Sequence, residues 1–189
     1  MLTRDDGLLP TSTVRNNNHR YWAGFAVASV AVATADQRLW NWGLESYRIG
    51  ICAVDEAGAL PLELRRGEAA RAYHVYALGP LLGTAELAAR NGVPAYEVCG
   101  GKLHRLVRFV MESIDDPAAI ERFAKTPQGP FFRDDGTIRA KNSIAGMEFY
   151  ERRFPNRTSF SARFRQQRPY AATELGGAVT RQLDLAGSR

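Results

Sequence analysis

The sequence predicts an all-α protein built around one helical domain. Apolar residues recur at helical spacing in several long segments, and no segment of useful length alternates apolar and polar residues as a half-buried strand does. Helix signals separate these segments: Asp36 is a candidate N-cap, and Asn91-Gly92-Val93-Pro94 combines the residues that end helices. Long helices joined by short loops are typical of a helical toroid or bundle.

The N-terminal part of the chain predicts a lead-in and two helices. Residues 1–18 are polar and contain helix breakers, which indicates irregular structure. From Arg20 to Thr34 the chain is apolar on every side, which predicts a helix buried all round. Basic residues before this segment and Ala33-Thr34-Ala35 at its end also fit a secretory signal, but its aromatic opening favours a buried helix. After Asp36, a second helix is predicted to end near residues 55–58.

Two long helices follow in the middle of the chain. Leu60-Pro61 breaks the chain before a third helix, which is predicted from about Arg65 to Arg90. A fourth helix runs from Tyr96 to about Ile114 and carries one apolar face. Gly100-Gly101 is a weak point near its start, because glycine disfavours the helix interior.

The helical pattern weakens toward the C-terminus. Asp115-Asp116-Pro117 starts a short helix, a loop covers Thr126 to Thr137, and a final helical stretch covers Ser143 to Arg153. After Phe154-Pro155, arginine and aromatic residues alternate without a helical period. These boundaries divide the chain into an irregular lead-in (1–18), a helical domain (19–154) and an arginine-rich, poorly ordered tail (155–189).

Composition and charge indicate an anionic partner. The 189 residues carry a net charge of +5 and have a pI near 9.5, which suits polyuronate, nucleic acid or a membrane surface. Lys102, Lys125 and Lys141 are the only lysines among the 25 basic residues, so arginine dominates. Arginine offers a planar fork matched to carboxylate or phosphate, although a GC-rich genome produces the same bias. Charge alone does not choose among these partners.

The spacing of cysteines and histidines does not indicate a metal site. Cys52 and Cys99 permit one disulfide and form no C-x-x-C pair. Because Cys52 lies in an apolar run, a buried free thiol is favoured over a bridge. His19, His74 and His104 form none of the patterns by which histidines bind zinc, which argues against a zinc site.

Two short clusters bring together an amide, an imidazole, guanidinium groups and a phenol. The first is Asn16–Trp22; the second is Arg65-Arg66 followed by Ala72–Tyr76. Arg66 and Tyr73 lie two helical turns apart and so share a helix face, with Cα atoms separated by about 10 Å. Each residue alone has a plain structural explanation, and His74 is typical of a packed, hydrogen-bonded histidine.

Three motifs in this order resemble the poly(β-D-mannuronate) lyases of polysaccharide lyase family 5. They are Asn17–Trp22, Leu60–Arg66 and Ala72–Leu78, with a weaker similarity at Met147–Tyr150. The resemblance implies a partial (α/α) toroid of antiparallel helices, because the chain is similar to the C-terminal portion of the family. It also implies that some apolar helix faces, covered by other helices in the family, are exposed in this chain.

The resemblance further implies cleavage of poly-mannuronate by β-elimination, which leaves unsaturated uronate ends. The residues that it marks as catalytic are Asn18, His19, Arg66 and Tyr73, and those expected to bind substrate are Arg65, Arg66, Trp22 and Tyr76. Asn18 and Arg66 would stabilise the charge that develops beside the C5 proton. Tyr73 would remove that proton and protonate the leaving oxygen, with His19 sharing the base role or binding the carboxylate.

The implied partner is an anionic polysaccharide, alginate or poly-mannuronate, with no cofactor, nucleic acid or membrane. A periplasmic or secreted location follows from the same resemblance, although the chain contains no convincing signal peptide. Two alternatives remain: a catalytically silent polyuronate-binding fragment, and an arginine-rich helical nucleic-acid-binding protein based on residues 152–170. The sequence leaves open the preference for mannuronate or guluronate, endo or exo attack, and the oligomeric state.

Overall fold

The fold, described by a computed structural model over residues 16–187, is all-helical, which confirms the predicted class. Its α-helices over these residues are α1 (Asn18–Thr34), α2 (Gln37–Cys52), α3 (Pro61–Leu64), α4 (Ala70–Arg90), α5 (Val98–Asp115), α6 (Ala118–Ala124), α7 (Met147–Arg153), α8 (Ser161–Gln166) and α9 (Val179–Gly187). Short 3-10 turns occupy Gly67–Ala69, Ala95–Glu97 and Thr173–Leu175. The described residues form isolated β-bridges but no strand.

The first two helices form a hairpin that packs against α4. Asp36 caps α2 as predicted: its Oδ1 accepts the backbone N–H groups of Arg38 at 2.8 Å and Leu39 at 3.1 Å. Small residues allow the two helices to approach closely, since a β-carbon added at Gly24 would lie 2.5 Å from the β-carbon of Ser46. The hairpin therefore fixes the position of the N-terminus of α1 relative to α4.

Helix α1 buries one face rather than its whole surface. Tyr21, Ala28 and Ala31 are at most 2% exposed and face the core, whereas Val30 and Val32 are 51% and 42% exposed. The prediction of a helix buried all round is wrong, because, within the described residues, α1 packs against α2 and α4 and leaves Val30 and Val32 exposed. Apolar composition alone does not reveal which face has neighbours.

Helix α4 is the central element and contacts α1, α2, α5 and α7. Two glycines in α4 allow aromatic rings of α1 to approach its backbone closely. A β-carbon at Gly79 would lie 3.1 Å from the Trp22 ring, and one at Gly83 would lie 2.7 Å from the Phe25 ring. The third predicted helix thus begins at Ala70 rather than near Arg65, after α3 and a 3-10 turn. The three site motifs therefore lie on separate elements: α1, α3 with the turn after it, and α4.

A disulfide joins Cys52 at the end of α2 to Cys99 at the start of α5, with their Cα atoms 5.5 Å apart. The prediction of a free buried thiol is therefore wrong. Cys99, Gly100 and Gly101 all have left-handed backbone angles, with φ of 53°, 68° and 70°. The turn that they form interrupts the helix at the predicted weak point and brings Cys99 beside its partner.

The segment after Phe154 is folded as far as the structure describes it. Phe160, Phe164 and Tyr170 are each 1% exposed, and the last two rings stack with centroids 4.2 Å apart. The buried carboxylate of Glu148 accepts hydrogen bonds from Arg168 at 2.8 and 2.9 Å. The poor order expected for residues 155–189 thus does not extend over residues 155–187, because the aromatic residues between the arginines pack into the core.

Other boundaries also shift: α2 ends at Cys52 rather than near residues 55–58. Residues 126–137 contain no helix, as predicted for a loop, and the final predicted stretch begins at Met147 instead of Ser143. No helix within residues 16–187 combines the length and apolar character needed to cross a bilayer.

Candidate active site

The buried carboxylate of Glu63 joins two of the sequence motifs. Glu63 lies in α3 and is fully buried. Its Oε1 accepts the backbone N–H of Asn18 at 2.9 Å, and both carboxylate oxygens lie 3.1 Å from the side-chain nitrogen Nδ2 of Asn18. The first residue of α1 is thereby held against α3 by charge-assisted hydrogen bonds.

Arg66 extends these contacts toward α4. Its Nε lies 3.6 Å from Oε2 of Glu63, and its guanidinium carbon lies 4.5 Å from the centroid of the Tyr73 ring. The Arg66 side chain is 35% exposed, and its terminal nitrogens make no hydrogen bond to the described residues. Asn18, Glu63, Arg66 and Tyr73 are called the Glu63 cluster below. The cluster presents a cation and a phenol on a partly open surface.

His19 lies next to the Glu63 cluster in sequence and is exposed. Its backbone N–H donates to Oδ1 of Asn17 at 3.1 Å, which caps α1. Its imidazole makes no hydrogen bond or ion pair with any residue in 16–187. Arg65 is likewise exposed and unpaired within that range. Both side chains are therefore accessible from solvent.

Trp22 and Tyr76 lie one turn further along α1 and α4, respectively. Their ring centroids are 5.0 Å apart, so these two predicted substrate-binding residues pack together where the helices meet. Burial raises the pKa of Tyr76, and nearby Glu174 and Tyr73 raise it further. The Tyr76 phenol accordingly stays protonated near neutral pH. Nε1 of Trp22 is buried and has no hydrogen-bond partner among residues 16–187.

His74 is a structural residue, as its sequence context predicts. It is fully buried; its Nε2 accepts the backbone N–H of Leu60 at 3.0 Å, and its Nδ1 lies 2.7 Å from the carbonyl oxygen of Ala70. Burial lowers the pKa of His74 to about 4, so the ring is neutral near pH 7. The neutral ring fixes the chain just before α3 and thereby supports the position of Glu63.

A cavity of about 180 Å³ lies beside the start of α4, and the Glu63 cluster does not line it. Its polar lining includes Glu68, Arg71, Gln128 and Arg139. Arg71 donates to the carbonyl oxygens of Ser113 and Gly129, which holds the loop that forms one wall. Within residues 16–187, no three His, Cys, Asp or Glu side chains lie together as metal ligands would.

Sequence reasoning did not identify Glu63 as a site residue. The signal lies in the motif Leu60–Arg66, where Glu63 precedes Arg66 by one helical turn. A glutamate and an arginine at this spacing usually form a solvent-exposed ion pair. Only the burial of Glu63 distinguishes it from a glutamate in such a pair. The structure brings together Asn18, Arg66 and Tyr73 as predicted, sets Trp22 and Tyr76 beside them, and leaves His19 and Arg65 in solvent.

Comparison with known proteins identifies the family. Residues 6–120 match the sequence profile of the alginate lyases. The chain belongs to the alginate lyase family. Among its relatives, the alginate lyase of Pseudomonas aeruginosa is 34% identical over 186 residues, which are 98% of this chain and 49% of that protein. A polysaccharide lyase of Stenotrophomonas maltophilia is 36% identical over 166 residues, 88% of this chain and 47% of that protein.

Solved alginate lyases share the fold. Alginate lyase A1-III from Sphingomonas species A1 superposes with a TM-score of 0.78 at 28% identity, covering 90% of this chain and 47% of that one. A variant of A1-III in complex with a tetrasaccharide, with alanine in place of a histidine, gives a TM-score of 0.76 at 27% identity over 90% of this chain and 48% of that one. This chain therefore adopts part of the (α/α) toroid of its family and spans about half the length of these relatives.

Proposed function

We propose that this chain carries the catalytic site of an alginate lyase that cleaves poly-mannuronate by β-elimination. The observation that supports this function is that Asn18 and Arg66 meet at the buried carboxylate of Glu63 and that Arg66 lies over the Tyr73 ring, in a member of the alginate lyase family. An amide, a guanidinium and a phenol are the groups that proton removal beside a carboxylate requires.

Arg66 and Asn18 neutralise the substrate carboxylate in this proposal. The C5 proton of a uronate becomes acidic only when the neighbouring C6 carboxylate is stabilised as negative charge develops on it. The free terminal nitrogens of Arg66 suit a bidentate contact with that carboxylate. Asn18 adds a neutral hydrogen bond from a position that Glu63 holds rigid, which favours the transition state over the ground state.

Tyr73 transfers the protons. As base it takes the proton from C5, the electron pair of that bond forms the C4–C5 double bond, and the C4–O bond breaks. The leaving glycosidic oxygen then receives a proton from the same phenol. The Arg66 guanidinium lies over the ring, 4.5 Å from its centroid, and places positive charge beside the phenol during this exchange. His19, exposed and unpaired within the described chain, shares the base role or binds the carboxylate.

Charge and redox chemistry support a polyanionic substrate met outside the cytoplasm. The net charge of +5 attracts alginate, and the relative A1-III forms a complex with a tetrasaccharide. The disulfide between Cys52 and Cys99 is typical of the periplasm or of secreted proteins. Binding without cleavage is the rival function, since this chain spans about half the length of its relatives.

The test is incubation of the 189-residue protein with poly-mannuronate while ultraviolet absorbance reports unsaturated ends. Wild-type protein is expected to produce them, and Tyr73→Phe is expected to lose activity by about a hundredfold or more. Arg38→Gln, an exposed change on α2, serves as the matched control. Retention on immobilised alginate without any product would establish binding alone and overturn the lyase assignment for this chain.

A further inference from the structure

We infer that Glu63 is a positioning residue of the site, which fixes the direction of the Asn18 amide and the location of the Arg66 guanidinium. This inference rests on the proposed function for its catalytic consequence, while its geometry stands on the contacts already described. Glu63 touches no substrate; it acts through the two residues that do. Its fully buried carboxylate contacts both of them from one side.

The carboxylate determines which end of the Asn18 amide faces the core. An ionised carboxylate only accepts hydrogen bonds, so the NH₂ group of Asn18 must face Glu63, and Oδ1 must face away from it. The two N–H bonds of an amide diverge widely, whereas both carboxylate oxygens lie on the same side of Nδ2. One N–H therefore points between the two oxygens at 3.1 Å, and the second remains directed elsewhere. That second N–H makes no hydrogen bond to the described residues.

The same carboxylate selects which edge of Arg66 is free. Glu63 lies nearest to Nε of the guanidinium, at 3.6 Å, and the Tyr73 ring covers one face of the group. The edge formed by the two terminal nitrogens is left without a hydrogen bond to the described residues. A guanidinium held in this way presents its fork to an incoming carboxylate with little rotamer freedom left to lose.

Glutamate suits this role better than glutamine does. A glutamine at position 63 would carry its own donor and acceptor, so its amide pairs with Asn18 in either orientation. It would also leave Arg66 without a buried counter-charge. Glu63→Gln thus keeps nearly the same side-chain volume at this buried position but no longer fixes the orientation of the Asn18 amide. The matched control is Glu68→Gln, since Glu68 is exposed and makes no hydrogen bond or ion pair within the described range.

Nuclear magnetic resonance of the full chain tests the geometry without substrate. With ¹⁵N-labelled asparagine, one side-chain proton of Asn18 is expected to exchange slowly in the wild type and in Glu68→Gln. Glu63→Gln is expected to shift both side-chain proton signals and to speed this exchange. Unchanged Asn18 signals in Glu63→Gln would overturn the inference. Should that variant fail to fold, Glu63→Asp, which withdraws the carboxylate by one methylene, replaces it with the same expected changes.

Kinetics test the catalytic consequence. Glu63→Gln is expected to lower kcat by about tenfold to a hundredfold, with KM changed less than about threefold, because misplaced groups weaken the transition state most. In an Asn18→Ala background the same change is expected to cost less, since one of the two groups that Glu63 positions is gone. Equal losses in both backgrounds would indicate a merely structural role and overturn the inference. A wild type without product but with the protected Asn18 amide would refute the lyase function and leave the positioning intact.

Discussion

The guanidinium of Arg66 lies 4.5 Å from the centroid of the Tyr73 ring, over its face. The two residues are seven positions apart in sequence, but α4 begins only at Ala70, so Arg66 approaches the ring from the turn between α3 and the 3-10 segment Gly67–Ala69. The contact pairs the cation of the site with its phenol. It also holds the guanidinium between Tyr73 and Glu63, which gives it a defined plane.

Replacing Arg66 with lysine tests the importance of that plane. Lysine keeps the charge but lacks the fork that binds a carboxylate with two hydrogen bonds and the flat surface that stacks on a ring. We expect kcat/KM on poly-mannuronate to fall by about tenfold or more, measured from the rise in ultraviolet absorbance. Arg65→Lys is expected to cost less, because Arg65 is exposed and unpaired in the described chain. Equal losses for the two variants would contradict a special role for Arg66.

The titration of His74 predicts a pH dependence of stability. Its pKa is about 4 in the folded protein and about 6.5 when unfolded, so the unfolded chain binds more protons between these values. Stability contributed by the neutral ring is therefore present above pH 6.5 and is lost as the pH falls toward 4, by about 3 kcal/mol in total. Urea unfolding at pH 7 and pH 4.5 measures this loss.

His74→Gln is the comparison variant for that experiment, because glutamine does not titrate. Its free energy of unfolding is expected to be lower at pH 7 by about 1–3 kcal/mol, since the hydrogen bonds to Leu60 and Ala70 are remade imperfectly. The difference between wild type and variant should narrow at pH 4.5. A difference that stays constant with pH would show that the ring does not titrate in this range.

The disulfide is expected to stabilise the fold. Cys52 and Cys99 are separated by 47 residues, and closing a loop of that length restricts the unfolded chain by about 4 kcal/mol in the entropic account. The double variant with alanine at both positions should therefore unfold at a lower urea concentration than the wild type. Reductant should lower the urea midpoint of the wild type toward that of the variant and leave the midpoint of the variant unchanged. An identical response of both midpoints would argue against a cross-link.

Close packing in the α1–α2 hairpin predicts that replacing Gly24 with a residue that has a side chain destabilises the protein. A methyl group there would meet the Ser46 β-carbon at 2.5 Å, so we expect Gly24→Ala to destabilise the protein by about 1–3 kcal/mol despite the better helix propensity of alanine. Gly129→Ala is the control, because a β-carbon at Gly129 has no neighbour within 4 Å. Thermal unfolding of both variants measures the contrast, and equal melting temperatures would refute the steric argument.

The helical class and several helix ends were readable from local chemistry. Asp36 caps α2 through its own carboxylate, and the glycines after Cys99 interrupt a helix wherever they occur. Such signals depend on residues a few positions apart, so the sequence predicts them directly. The residues next to His74 in the sequence likewise predict that it is packed and hydrogen-bonded.

Features that depend on distant neighbours could not be predicted. Glu63 becomes a site residue only because Asn18, 45 positions earlier, folds onto it. The outer face of α1 is apolar whether or not another helix covers it, so composition did not reveal the exposure of Val30. The disulfide likewise needed a left-handed turn to bring together two cysteines that show no motif.

Gly79 lacks a side chain at a point where two other parts of the protein approach its backbone closely. The Trp22 ring lies against one side of this residue, and Gly146, at the entry to α7, approaches the other so closely that a β-carbon there would lie 2.6 Å from the α-carbon of Gly79. Only the backbone of Gly79 therefore lies between the Trp22 ring and Gly146 at this point. A side chain introduced at residue 146 would therefore press on Gly79 and, through it, on the indole of Trp22.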